Sequence, residues 1–279
     1  MEIFPFPHTA HKEVHSDPGM RKILAIFFMI IFVLYSVTGC STMDKVPVIV
    51  SAPASMSNVL LAISQQYEKL HPQVDIKLNF GSSGALKRQI EKGAAVDVFI
   101  SAGKLEMDAL SKQGRIDSDT IHNFAENELV LIRPAQTANP VRSLQDLNKN
   151  EVKRISIGEP NSVPAGRYAF QSLKHLRLWN DLQPKLVFAK DVRQVLTYVE
   201  TKNVDAGIVY RTDALSSRKV AIVEQLDSAS HEKILYCTGI VKNAAHHPEA
   251  LQFQQYLLSK EAGYILVKNG FLPLRHQRW

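Results

Sequence analysis

Four short stretches of this chain place small residues and hydroxyls where an anion could be held by hydrogen bonds. They are Ser51-Ala52-Pro53-Ala54-Ser55-Met56-Ser57, Gly81-Ser82-Ser83-Gly84, Gly158-Glu159-Pro160-Asn161-Ser162-Val163-Pro164-Ala165-Gly166 and Ala189-Lys190-Asp191-Val192-Arg193. Each follows a β-rich apolar run and precedes a segment of helical period. At such junctions backbone N–H groups are unpaired and the positive end of the helix dipole faces outward, which suits an oxyanion. Small side chains let a ligand reach the backbone, and serine hydroxyls add donors. Each hydrogen bond to a charged group contributes about 1.5–3 kcal/mol, so about five to seven of them can hold a dianion without lysine or arginine. Taken singly, each junction also reads as a plainly capped helix, because serine and aspartate are preferred N-caps. Nucleophilic chemistry fits less well: Gly81-Ser82-Ser83-Gly84 lacks the Gly-x-Ser-x-Gly spacing of a nucleophile elbow, and the scattered histidines give no paired base.

The elements that must position these junctions follow from hydrophobic period. Val46 to Val50, Val74 to Phe80 and Val96 to Ile100 read as strands, and Asn58 to Leu70, Gly84 to Lys92 and Lys104 to Gln113 as helices. Gly93 and Gly114 stand where the last two would end. Leu129 to Ile132, Arg154 to Ile157, Lys185 to Phe188 and Ala206 to Val209 are further short strands. Val192, Val195, Leu196 and Val199 form the buried stripe of a helix, and Pro248 to Lys268 is helical in pattern. Alternation along the whole length predicts an α/β fold with a largely parallel sheet.

Ahead of this region, Met20-Arg21-Lys22 leads into the apolar run Ile23 to Tyr35 and then Ser36-Val37-Thr38-Gly39-Cys40. A basic start, an apolar centre and a small-residue end predict a secretory signal peptide over residues 1–39, and the run is shorter than the roughly 20 residues a spanning helix needs. Residues 1–19, with three histidines, precede a second possible start at Met20. The formal net charge is +6; segment 1–39 holds three basic and three acidic residues, so its removal leaves that value unchanged. The charges are scattered singly, without the basic stripe of a nucleic-acid groove. Of the two cysteines, Cys237 lies in the apolar run Ile234 to Val241 and is expected to be a buried, inert thiol, with no internal disulfide.

In order along the chain stand Ala52-Pro53-Ala54-Ser55, Phe80-Gly81-Ser82-Ser83-Gly84, Gly158-Glu159-Pro160 with Val163-Pro164-Ala165-Gly166, Asp191-Val192-Arg193 and Gly207-Ile208-Val209-Tyr210. Together they resemble the molybdate-binding proteins of bacterial ABC transporters, over nearly all of residues 46 to 275. Pro53 stands where the family has alanine and Gly84 where some members have serine. The resemblance implies a type II periplasmic binding fold: two lobes, each a mostly parallel sheet flanked by helices, joined by two crossing strands. These are expected near Glu128 to Arg133 and Leu235 to Val241, giving lobe one as residues 44–127 with 238–279 and lobe two as 128–237. It further implies that Ser55, Ser83, Tyr210 and the backbone N–H groups of Ala165 and Val192 bind molybdate or tungstate, with molybdenum held only as the oxyanion. Asp191 and Arg193 are expected as a helix cap and a supporting residue.

Val37-Thr38-Gly39-Cys40 resembles the lipobox of bacterial lipoproteins, which implies a lipid on Cys40, a tether over 40–45 and an exported, membrane-anchored receptor. No cofactor and no catalysis are implied. The partners implied are an ABC permease and its ATPase, and, by analogy, the receptor is a monomer. A site for sulfate or phosphate is the alternative within the same fold. An effector-binding regulator of that fold would carry a helix-turn-helix where the signal segment stands.

Overall fold

The first strand, β1 (Val46–Pro53), buries Val48, Val50 and Ala52 on one face and Ser51 and Pro53 on the other, with Ile49 half-buried, as a strand covered on both sides requires. It pairs in parallel with β2 (Val74–Gly81), residue for residue from Val46↔Val74 to Pro53↔Gly81, and with β3 (Val98–Ser101). Between them run α1 (Ser57–Leu70), α2 (Ser83–Glu91) and, after β3, α3 (Lys104–Lys112). In α1, Val59, Ile63 and Tyr67 recur at fourfold spacing and are buried, and the Tyr67 ring stacks on His71 and meets Phe253 edge-on. Beyond the ends of α2 and α3, Gly93 and Gly114 adopt φ of 85° and 66°, the left-handed stop expected of them.

This is a computed structural model that describes residues 45–136 and 140–274, with Gly19, Phe27 and Met29 ahead of them. The signal segment apart from those three positions, Cys40 and its tether up to residue 44 lie outside the described residues.

The remaining elements are β4 (His122–Glu126), β5 (Leu129–Pro134), β6 (Ile155–Gly158), α4 (Pro164–His175), α5 (Trp179–Leu182), β7 (Leu186–Ala189), α6 (Val192–Glu200), β8 (Ala206–Tyr210), α7 (Arg211–Leu215), β9 (Val220–Gln225), β10 (Leu235–Ile240), α8 (His247–Leu257) and α9 (Lys260–Lys268). They form two five-stranded sheets, in the orders β2-β1-β3-β10-β4 and β7-β6-β8-β5-β9. In each sheet one strand runs against the rest: β10 is antiparallel to β3 and β4, and β5 to β8 and β9. These are the strands by which the chain enters a sheet from the other lobe. The passages between sheets lie at Asn127–Glu128, between β4 and β5, and between β9 and β10. Leu235 to Val241, expected as the second crossing, is therefore largely β10, paired with the first sheet throughout.

Pro248 to Lys268 is two helices rather than one, because Ser259 caps α9 by accepting from the Ala262 N–H at 3.3 Å. Most of the core is one cluster that runs through both lobes. A smaller one under α2 and α3 gathers Leu86, Phe99, Met107 and Leu110 around Cys237. Cys237 is a free, buried thiol whose pKa burial pushes up to about 12, which matches the inert state expected.

Candidate functional site

The strand-to-helix junctions of the two lobes face one another. Ser55, Ser83, Ala165, Val192 and Tyr210 all line one small cavity. Ser55 lies in the single turn Ala54–Met56 that links β1 to α1 and is buried, its Oγ 2.8 Å from the Tyr236 hydroxyl. Pro53, ahead of that turn, has φ −64° and ψ 142°, an extended conformation that proline adopts without strain, and it keeps its register with Gly81.

The two serines of the next junction divide their roles. Ser82 caps α2, accepting from the Ala85 N–H at 3.3 Å, and so Ser83 is free of that duty. The Ser83 oxygen accepts from the Ala102 N–H at 3.1 Å. With one lone pair so occupied, the Ser83 hydroxyl hydrogen is available to the cavity.

The second lobe contributes helix N-termini. No side chain caps α4; its first residue, Pro164, has no N–H, so Ala165 carries the first backbone donor of that helix. In α6, Asp191 caps by accepting from the Gln194 N–H at 2.9 Å, which leaves the Val192 N–H unused by the cap. Tyr210 closes β8, fully buried, with its hydroxyl 3.5 Å from the Ala102 carbonyl. Burial raises the Tyr210 pKa well above its ordinary value, so the phenol keeps its one hydrogen; that hydrogen makes the long bond to the Ala102 carbonyl and must turn from it to donate to an anion in the cavity.

Among the described residues lining the cavity, Asp191 is the one ionisable carboxylate and no lysine or arginine appears. Arg193 turns away from it: its guanidinium donates to Ser216 Oγ at 2.8 Å and its Nε lies 2.9 Å from the buried Asp213 carboxylate, without hydrogen-bond alignment. Among the described residues no group of histidine, cysteine, aspartate and glutamate has the makings of a metal-cation site. The arrangement offers hydrogen-bond donors to a compact anion and holds no nucleophile–base pair.

Three features of the site have no counterpart in the sequence-based expectation. Ala102 joins the lobes, giving its N–H to Ser83 and its carbonyl to Tyr210 and Tyr168, both at 3.5 Å. It follows β3 in the stretch Ser101-Ala102-Gly103, a fifth junction of small residues that the same rule would have flagged. Arg167 of α4 forms a two-pronged ion pair with Glu106 of α3 across the cleft, at 2.9 and 3.0 Å. Beside it the Gly84 N–H donates to the Ser162 carbonyl at 3.0 Å; a side chain at position 84 would meet that oxygen at 2.6 Å, so the missing Cβ is what lets the lobes approach.

Two sheet-and-helix lobes with a donor-lined cavity between them define a solute-binding protein. The profile of the bacterial extracellular solute-binding proteins matches residues 48–272, and the chain belongs to that family. It is 43% identical to YvgL of Bacillus subtilis, assigned as an ABC transporter substrate-binding lipoprotein, over 90% of this chain and 99% of that one. It is 36% identical to the molybdate-binding protein ModA of Haemophilus influenzae, over 84% and 92% of the two chains. Among solved structures, a substrate-binding domain assigned to a molybdenum ABC transporter of Clostridium difficile superposes with a TM-score of 0.64 at 38% identity. That match covers 83% of this chain and all of the other.

Proposed function

We propose that this protein captures molybdate or tungstate outside the cytoplasm and delivers it to an ABC permease and its ATPase for import, without catalysing a reaction. The observation that carries the reading is a cavity walled by Ser55, Ser83, Tyr210 and the starts of α4 and α6, with no cation on its wall. Such a wall favours a fully deprotonated tetrahedral dianion, because every oxygen then meets a donor. Monohydrogen phosphate brings a hydrogen that needs an acceptor, and sulfate meets the same donors but is smaller. Molybdate and tungstate are nearly equal in size and bind the same five positions. The names of the relatives support the same ligand and the same transport role.

Anchoring follows from Cys40: the lipid it carries holds a monomeric receptor at the membrane surface, in keeping with the lipoprotein name of the Bacillus relative. Calorimetric titration with molybdate, tungstate, sulfate and phosphate tests the ligand. Tight binding of the first two and weak binding of the others is expected; sulfate or phosphate equal to molybdate overturns the selectivity and leaves a receptor for another oxyanion.

A further inference from the structure

Ser55 serves an anion only if its hydroxyl hydrogen points into the cavity, and a hydroxyl can equally turn the other way. The residues behind it fix the direction. The Glu128 backbone N–H donates to Asn127 Oδ1 at 2.9 Å, which sets the carboxamide with its nitrogen on the opposite side. That nitrogen has two hydrogens, and it uses them on Thr212 Oγ1 at 2.9 Å and on the Tyr236 oxygen at 3.3 Å. Tyr236 thus accepts from Asn127, and its own hydrogen has Ser55 Oγ, 2.8 Å away, as its acceptor. Burial raises the Tyr236 pKa, which keeps that hydrogen in place. Ser55 Oγ, filled from behind, is left with its hydrogen directed at the cavity it lines.

We propose that Asn127 and Tyr236 are positioning residues that hold Ser55 as a donor toward the bound oxyanion, so that this end of the site discriminates against an oxyanion still carrying a proton. The proposal rests on the oxyanion reading above. The chain of donors also ties the site to the joints of the molecule. Asn127 occupies the first passage between sheets, Thr212 belongs to α7 of the second lobe, and Tyr236 lies on β10, where the chain returns to the first lobe.

Tyr236→Phe removes the hydrogen that fills Ser55 and keeps the buried ring with its edge-on contact to Phe271, at 5.2 Å between centroids. Ser55 can then turn a lone pair toward the ligand. In the full-length protein this variant is expected to bind molybdate about tenfold more weakly while binding monohydrogen phosphate no more weakly than before, so the ratio of the two affinities falls about tenfold. In a Ser55→Ala background the same substitution is expected to change neither affinity. A purely structural role would instead weaken both anions alike and add to the effect of Ser55→Ala. Asn127→Asp, of the same shape, is the second handle should the phenylalanine variant unfold. Its carboxylate takes the Tyr236 hydrogen, draws the Ser55 hydrogen back, and lowers the same ratio. Wild-type protein that binds phosphate as tightly as molybdate overturns this proposal together with the oxyanion selectivity; wild-type selectivity that Tyr236→Phe leaves unchanged overturns this proposal alone.

Discussion

The two lobes present the same chemistry to the ligand by different means. Lobe one offers the serine hydroxyls Ser55 and Ser83, each with its oxygen bonded from behind, at 2.8 Å to Tyr236 and at 3.1 Å to Ala102 N–H. Lobe two offers the first N–H groups of α4 and α6, and one phenol, Tyr210. A backbone donor at a helix start has a fixed direction and brings the helix dipole with it. A hydroxyl donor rotates, and it acquires a direction only from its neighbours. Lobe one is therefore the half that needs supporting residues, and lobe two the half that needs only correct helix starts.

The largest expected effect comes from keeping the halves apart. Arg167→Ala leaves Glu106 facing the cleft with no cation when the lobes meet. The Glu106 side chain is 3% exposed in the closed pair, and removing one partner of a buried pair costs about 3 kcal/mol. The open form, in which Glu106 meets water, is spared that cost. Ligand affinity is thus expected to fall about a hundredfold, with a larger radius of gyration by small-angle scattering at a given ligand concentration. An unchanged affinity would show that the ion pair does not bias closure.

Next come single donors, one from each half. Val192→Pro deletes a backbone N–H at the first position of α6, where proline is tolerated, and the preceding Asp191, at φ −157° and ψ 170°, has the extended backbone that a following proline requires. Ser83→Ala deletes a hydroxyl. Both are expected to weaken molybdate binding by about 1.5–3 kcal/mol, the proline variant toward the upper end because its donor lies on the helix axis. Calorimetry on the two variants decides the order. A serine loss that exceeds the proline loss would reverse the comparison, and no change in either would remove that position from the site.

How much could be read in advance was alike in the two halves. Most helix and strand cores, and the strand-to-helix junctions, were legible because they depend on local signals: apolar period, caps such as Asp191, and the stops at Gly93 and Gly114. The five site positions within those junctions were singled out by the family resemblance and not by any local signal. Strands β4 and β9 were not. Both are edge strands, and neither His122–Glu126 nor Val220–Gln225 carries a continuous buried run. The break at Ser259 was hidden because apolar residues continue on both sides of it. Arg167–Glu106 and the chain from Asn127 through Tyr236 to Ser55 join residues 61 to 181 positions apart, and no local pattern marks such pairs.

The last test reads stability against pH rather than affinity, and it isolates the second lobe. Asp213, on α7 behind Tyr210, is fully buried, and burial raises its pKa from 3.8 to about 7 against the opposing pull of Arg193. The groups that face it are Arg193, Asp191, Tyr210 and Tyr236; the arginine charge and a hydrogen bond from the Tyr210 backbone favour its ionised form, and burial outweighs both. Because the folded state holds this proton more tightly than the unfolded state, its contribution to stability is complete below about pH 3.8. It is lost progressively as the pH rises toward 7 and is constant above that. Carboxylates held low, such as Glu91 through Lys87 and Asp146 through Lys149, slope the opposite way over the acid range. The measurement is therefore a difference: urea unfolding of the wild type and of Asp213→Asn at a series of pH values. The wild type is expected to lose stability relative to the variant between about pH 4 and 7. A difference that stays flat across that range would mean that Asp213 is ionised throughout, with Arg193 outweighing its burial, and the second lobe would then hold a fixed negative charge behind its tyrosine donor.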